Sequence, residues 1–150
     1  MSFLSVEEPA DVDGAAWSRA SCGNIIHRSM QGTEWIIEAS GCEPEALRDQ
    51  VRLQRLFDRL IENLELTPVA APVWHTFPAP GGITGFIVLA ESHLACHTFP
   101  EFGSICVNVF CCRPRPNVDP AGVLAEVLGA THTSVRAIER TYAPASPVQT

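Results

Sequence analysis

The order of apolar patterns along the chain constrains its fold most strongly. Five short β-rich runs occur, at residues 33–39, 69–77, 83–90, 104–111 and 132–141. Only two segments with helical periodicity interrupt them. Runs of strands with so few helices predict an α+β fold. We expect a two-layer α/β sandwich with an antiparallel-rich sheet, both helices on one face, and two similar halves that meet near Ser92.

Both helical segments have recognisable ends. Pro44 suits the first turn of a helix, and apolar residues at helical spacing continue to about Leu66. The apolar face of this helix is predicted to carry Leu47, Val51, Leu56, Leu60 and Leu64, with Phe57 and Ile61 beside them. Asp119 followed by Pro120 is typical of an N-cap and a first helical position, and Gly129 ends the second helix.

The run at residues 104–111 alternates between two faces. One face is aliphatic, and the other carries Cys106, Asn108, Phe110 and then Cys112. Because helices on one side leave the second face of a sheet uncovered, we expect that face to be buried in a homodimer.

The length and net charge of the chain limit the classes of protein to which it can belong. The 150 residues, of which 46% are hydrophobic, fit one domain over residues 31–150, after a flexible N-terminal extension over residues 1–30. A net charge of -7 disfavours nucleic acid or an anionic membrane as a partner. The chain begins with acids where a signal peptide would carry positive charge, so the cytoplasm is the predicted location.

The chain contains no lysine, since all ten basic residues are arginine. A pyridoxal-phosphate enzyme needs a lysine amine for its resting linkage, and a Walker phosphate loop needs a lysine too. Amine chemistry on a small-molecule substrate would therefore require an electrophile from another source.

Residues 89–112 contain the most informative motifs. They are Glu91-Ser92-His93, His97-Thr98-Phe99-Pro100-Glu101 and Phe110-Cys111-Cys112. In composition and ungapped spacing these motifs resemble the bacterial S-adenosylmethionine decarboxylase proenzyme family, and the resemblance extends over about residues 33–142. The Pro78–Gly82 turn is one residue longer than is usual there, and Asn108 replaces an acid.

The resemblance implies self-cleavage between Glu91 and Ser92. The Ser92 hydroxyl would attack the Glu91 carbonyl, and elimination would leave a pyruvoyl group at the start of an α chain of residues 92–150. The β chain would be residues 1–91. The pyruvoyl ketone then serves as the cofactor, because it condenses with the substrate amine and accepts the electrons left by carbon dioxide.

The resemblance also implies the roles of the other site residues. His97 moves a proton during self-cleavage, Thr84 assists the acyl shift, and Cys112 protonates the substrate carbon after decarboxylation. A shift of one position would give the last role to Cys111. The substrate-binding residues are expected to be Glu101 for the ribose, with Phe77 and Phe99 for adenine. No role follows for His93, and no metal is implied.

Three alternatives remain open at this stage. The first is a pyruvoyl-dependent decarboxylase of a basic amino acid, ornithine or arginine. The second is an unprocessed homologue that acts in dimerisation or regulation. The third is a structural zinc module that would draw its ligands from His93, Cys96, His97, Cys106, Cys111 and Cys112.

Overall fold

A computed structural model describes residues 31–142, so the predicted extension over residues 1–30 lies outside the described residues. The elements are β1 (Gln31–Ser40), α1 (Pro44–Leu47), α2 (Gln50–Asn63), β2 (Val73–Thr76), β3 (Ile83–Leu89), β4 (Ser92–Phe99), β5 (Ser104–Cys111), α3 (Pro120–Leu128) and β6 (His132–Thr141). A 3-10 turn, Pro100–Phe102, joins β4 to β5.

The six strands form one sheet in the order β2-β3-β4-β5-β1-β6, and every neighbouring pair is antiparallel. This confirms the predicted α+β class. The sequence patterns assigned five strands, and the additional one is β4. Its histidines and small residues hide the strand pattern, but a two-residue turn at Ala90-Glu91 pairs it directly with β3.

The helices cover one face of the sheet. Leu53, Leu56, Phe57 and Leu60 of α2 are fully buried, as are Leu124 and Leu128 of α3. Full burial of one such side chain stabilises the fold by about 1.5–3 kcal/mol. Thr98 is a buried polar residue on the same face, and its hydroxyl accepts from the Ile83 N–H and donates to the Leu47 carbonyl.

The prediction of one long first helix is wrong in one respect, because the helix is interrupted at Arg48 and Asp49. Asp49 is extended, and its carboxylate accepts hydrogen bonds from the backbone of Val51 and Arg52, which makes it the N-cap of α2. The break changes the helical phase. Val51, predicted to be buried, is 74% exposed, and Leu53 occupies the core instead.

The strand predicted over residues 69–77 is shorter in the structure. Only Val73–Thr76 pairs with β3, while Pro68 forms an isolated bridge with Leu89. Pro68 and Pro72 have no backbone N–H to donate to a ladder, which accounts for the late start of β2.

The second face of the sheet, called the open face below, has no helix on it within residues 31–142. Phe86 and Val88 of β3 and Ile138 of β6 are between 41% and 45% exposed there. The half-buried residues Phe99 and Phe110 add to this apolar surface.

Candidate active site

The Glu91-Ser92 peptide bond lies in the turn between β3 and β4. Leu89 pairs with Ser92, and Ser92 pairs with Cys111 of β5. The next step of the ladder gives the Glu91 carbonyl oxygen a hydrogen bond of 3.2 Å from the Cys112 N–H. A donor at this oxygen stabilises the negative charge that develops there when a nucleophile attacks the carbonyl carbon.

The Ser92 hydroxyl is held next to an imidazole. Its Oγ lies 3.2 Å from Nδ1 of His93, and the His93 ring stacks on Phe86 with 5.7 Å between the ring centroids. No role for His93 follows from the sequence. Its place directly after Ser92 in the motif was the one available signal.

The Glu91 side chain turns inward and is anchored. Its carboxylate accepts hydrogen bonds of 3.1 Å from both the N–H and the hydroxyl of Thr67, and it forms a 3.0 Å ion pair with Arg115. Burial alone would raise the pKa of Glu91, but the hydrogen bonds from Thr67 and Arg115 outweigh it, so the pKa lies below its ordinary value. Nothing in the sequence motif pointed to Thr67 or Arg115.

A second cluster lies further along the same strands. Thr84 of β3 and His97 of β4 are direct cross-strand partners, with 2.6 Å between Oγ1 and Nδ1. The rings of Phe77 and Phe99 flank the imidazole, with centroids 5.4 Å and 4.6 Å from that of His97. Four predicted site residues therefore meet at one place.

One chain does not bring this second cluster to Ser92. Five residues of extended strand separate His97 from Ser92, which at 3.3 Å per residue is about 16 Å. Glu101, in the exposed turn after β4, is further still along the chain. The predicted site residues thus form two groups at opposite ends of β4.

The two adjacent cysteines differ in environment. Cys111 is buried on the helix-covered face, and its sulfur accepts a 3.0 Å hydrogen bond from Nε of Arg115. Cys112 is half-buried, follows the open-face positions of β5, and its carbonyl accepts a hydrogen bond of 2.9 Å from the Tyr142 hydroxyl. Strand alternation predicted this difference in burial between the two cysteines.

The residues suggested as zinc ligands do not converge. Cys96 is buried on the helix-covered face, whereas His93 and His97 are on the other. Burial raises the pKa of Cys96 to about 12, which opposes the thiolate that zinc requires. Across residues 31–142 there is no group of three or more His, Cys, Asp or Glu side chains that could hold a metal ion.

The fold has a counterpart among solved structures. The crystal structure of the adenosylmethionine decarboxylase from Aquifex aeolicus VF5 superposes with a TM-score of 0.62, covering 81% of this chain and 99% of that chain at 21% identity. The architecture is therefore an α+β fold that also occurs in a decarboxylase.

Sequence comparison extends the likeness from the fold to the family. The family described as S-adenosylmethionine decarboxylase matches residues 33–141. S-adenosylmethionine decarboxylase proenzyme 2 of Halalkalibacterium halodurans is 37% identical over 117 residues, covering 75% of this chain and 88% of that protein. The proenzyme of Thermococcus kodakarensis is 32% identical over 112 residues, with 73% and 76% covered. The chain belongs to the S-adenosylmethionine decarboxylase family and so is a carboxy-lyase.

Within the described part of the chain, none of the helices has the length and hydrophobicity needed to span a membrane.

Proposed function

We propose that this chain is a proenzyme that cleaves itself between Glu91 and Ser92 and then decarboxylates S-adenosylmethionine. The observation that carries the proposal is the hairpin turn, where the Glu91 carbonyl accepts from the Cys112 N–H and the Ser92 hydroxyl is adjacent. Cleavage would divide the chain into residues 1–91 and 92–150, with both parts held in the same sheet.

The first step would be an acyl shift. The Ser92 Oγ forms a bond to the Glu91 carbonyl carbon, the C–N bond breaks, and the hydroxyl proton passes to the freed nitrogen, which gives an ester. Removal of the Ser92 α-proton then breaks the Cβ–Oγ bond and expels the Glu91 carboxylate. The remaining dehydroalanine takes up water and loses ammonia, which leaves a pyruvoyl group.

The chemistry at residue 92 fits a pyruvoyl group, because a serine follows a carbonyl that already has a hydrogen-bond donor. This group supplies a ketone that binds the substrate amine and accepts electrons when carbon dioxide leaves. The chain's own residues would supply the protons. Cys112 directly follows β5 beside the turn, and its thiol is proposed to donate a proton to the substrate carbon.

We further propose that two chains complete each site as a homodimer. Proton transfer requires contact within about 3 Å, whereas about 16 Å of strand separates His97 from Ser92 in one chain. If two open faces pack together, the Thr84–His97 pair of the partner subunit could approach the strand backbone at Ser92, where the α-proton is removed. The apolar residues Phe86, Val88 and Ile138 on that face support this packing.

The choice of S-adenosylmethionine as substrate rests on the open-face aromatic residues and on the names of the relatives. Phe77 and Phe99 offer ring faces to adenine and to a sulfonium cation, and Glu101 offers a carboxylate to the ribose hydroxyls. The product would supply spermidine biosynthesis, in the cytoplasm. Carbon dioxide release should be seen with S-adenosylmethionine and not with ornithine or arginine, and the opposite preference would reassign the substrate.

Intact mass of the purified chain tests the central claim. The wild-type protein should give fragments of 91 and 59 residues, the second blocked at its N-terminus by a ketone. Ser92→Ala should remain whole. A wild-type chain that stays intact after long incubation would refute self-cleavage and favour an unprocessed regulatory homologue.

A further inference from the structure

We propose that Arg115 is a positioning residue for self-cleavage, acting through the Glu91 side chain; the inference rests on the proposed function. Arg115 does not touch the reacting atoms. It holds the residue whose carbonyl is attacked, together with Thr67, and we call these three residues the Glu91 clamp.

The first support is the burial of the clamp and the number of contacts that Arg115 makes in it. The side chains of Arg115 and Glu91 are only 11% and 10% exposed. The guanidinium uses separate nitrogens for the Glu91 carboxylate at 3.0 Å, the Glu65 carbonyl at 2.8 Å and the Cys111 sulfur at 3.0 Å. A planar group with donors in a fixed fork orients what it binds more strictly than a surface ion pair does.

The second support is the backbone around the scissile bond. The Ala90 N–H donates to the Thr67 carbonyl at 2.8 Å, and the Cys112 N–H donates to the Glu91 carbonyl at 3.2 Å. Residue 91 is therefore fixed through its side chain, its carbonyl and the preceding N–H. A two-residue hairpin turn does not need a buried carboxylate of this kind, since turn side chains are ordinarily solvated.

The Glu91 clamp affects the proposed acyl shift by orienting the Glu91 carbonyl group. The acyl shift begins only when the Ser92 Oγ approaches the Glu91 carbonyl carbon while the carbonyl oxygen keeps its donor, and fixing residue 91 makes this arrangement more frequent. Arg115 transfers no proton and forms no covalent bond. Its contribution is to keep the acyl side of the bond still while the serine side moves.

Three segments that are distant in sequence meet in the clamp. Thr67 and Glu65 belong to the loop after α2, Glu91 to the β3–β4 turn, and Arg115 to the segment after β5. Glu65 has a left-handed backbone, with φ of 51°, which is uncommon for a residue with a side chain. The loop thus adopts a less favourable conformation at the residue whose carbonyl receives Arg115.

The test compares cleavage rates of matched variants by intact mass. Arg115→Met should slow cleavage about tenfold, the effect of losing one well-placed charge-assisted hydrogen bond. Arg113→Met, the same change at an exposed arginine two residues away, should cleave like the wild type. Arg115→Lys should recover part of the rate, because an ammonium can still pair with Glu91. Glu91→Gln combined with Arg115→Met should be no slower than the slower single variant.

The outcomes separate the two claims. If the wild type is not cleaved, the proposed function fails and this inference fails with it. If the wild type is cleaved and Arg115→Met keeps the rate of Arg113→Met, only this inference is overturned. Should Arg115→Met not fold, Thr67→Val removes one donor to Glu91 and keeps the backbone N–H; a rate several-fold below wild type supports the clamp, and an unchanged rate overturns it.

Discussion

A shared active site can be tested by mixing two inactive chains. Ser92→Ala removes the nucleophile, and His97→Ala removes the imidazole that is about 16 Å away in the same chain. In a mixed dimer, the Ser92 of one subunit meets the His97 of the other, provided that sites form across the interface. Neither variant alone should be cleaved, so any fragment must come from the mixed dimer.

The expected yield follows from random pairing. With equal amounts of the two chains, about half of the dimers are mixed, and each mixed dimer contains one complete site. About half of the His97→Ala chains should therefore be cleaved, which is about one quarter of all chains. If each chain used its own His97, the expected yield would be zero.

Coexpression with two different affinity tags provides the assay, because tandem purification isolates the mixed dimer before intact mass is measured. The converse experiment pairs the wild type with a chain that carries both substitutions. In the isolated mixed dimer, a shared site should leave every wild-type chain uncut, since its partner lacks His97. The reasoning is refuted if mixed dimers are recovered and the His97→Ala chain in them remains whole.

Three further predictions concern single residues. Cys112→Ala should still cleave but inactivate during turnover, with alanine appearing at the start of the 59-residue fragment; Cys111→Ala, a change at a buried sulfur, should instead lower the free energy of unfolding by about 1 kcal/mol in urea. Thr98→Val leaves the buried Ile83 N–H and Leu47 carbonyl without their hydroxyl partner. It should lower the free energy of unfolding, measured by urea denaturation, by about 1–3 kcal/mol. Because the pKa of Glu91 is lower in the folded protein than in the unfolded chain, ionisation of this carboxyl stabilises the fold. The stabilisation is complete at pH values above the ordinary carboxylate pKa, and it is lost as the pH falls through the lowered pKa of the folded protein. In uncleavable Ser92→Ala protein, the stability lost on adding Glu91→Gln should therefore shrink as pH falls from 7 to 3.

Local signals made much of the fold predictable. Strands β1, β3, β5 and β6 follow β-rich runs bounded by turn residues, and α3 begins at the Asp119 cap and ends at Gly129 in the left-handed conformation. The interruption before α2 does not follow from the sequence, because an aspartate inside a helical pattern is equally compatible with an exposed helical position and with an N-cap. Only the extended backbone at Asp49 decides between these.

The residues of the candidate site were predictable only where a motif contained them. The family pattern predicts Thr84 and His97 as site residues, and in the structure they are hydrogen-bonding partners. Arg115 belongs to the Arg-Pro-Arg-Pro segment at residues 113–116, for which the sequence predicts no role. Its contact with Glu91 joins residues 24 positions apart and depends on the path of the loop after α2, which no local spacing encodes.

The spacing of the motif nevertheless predicts the pairing of Thr84 with His97. Thr84 lies eight residues before Ser92, and His97 lies five residues after it. With a two-residue turn at Ala90-Glu91, the antiparallel register makes these two positions face each other. If β3 slipped by one residue relative to β4, a different residue of β3 would lie opposite His97, and the Thr84 side chain would no longer share a face with the imidazole. The length of the turn that contains the proposed cleavage site therefore also fixes the hydroxyl–imidazole pair of Thr84 and His97, so the two proposed functions depend on one structural constraint.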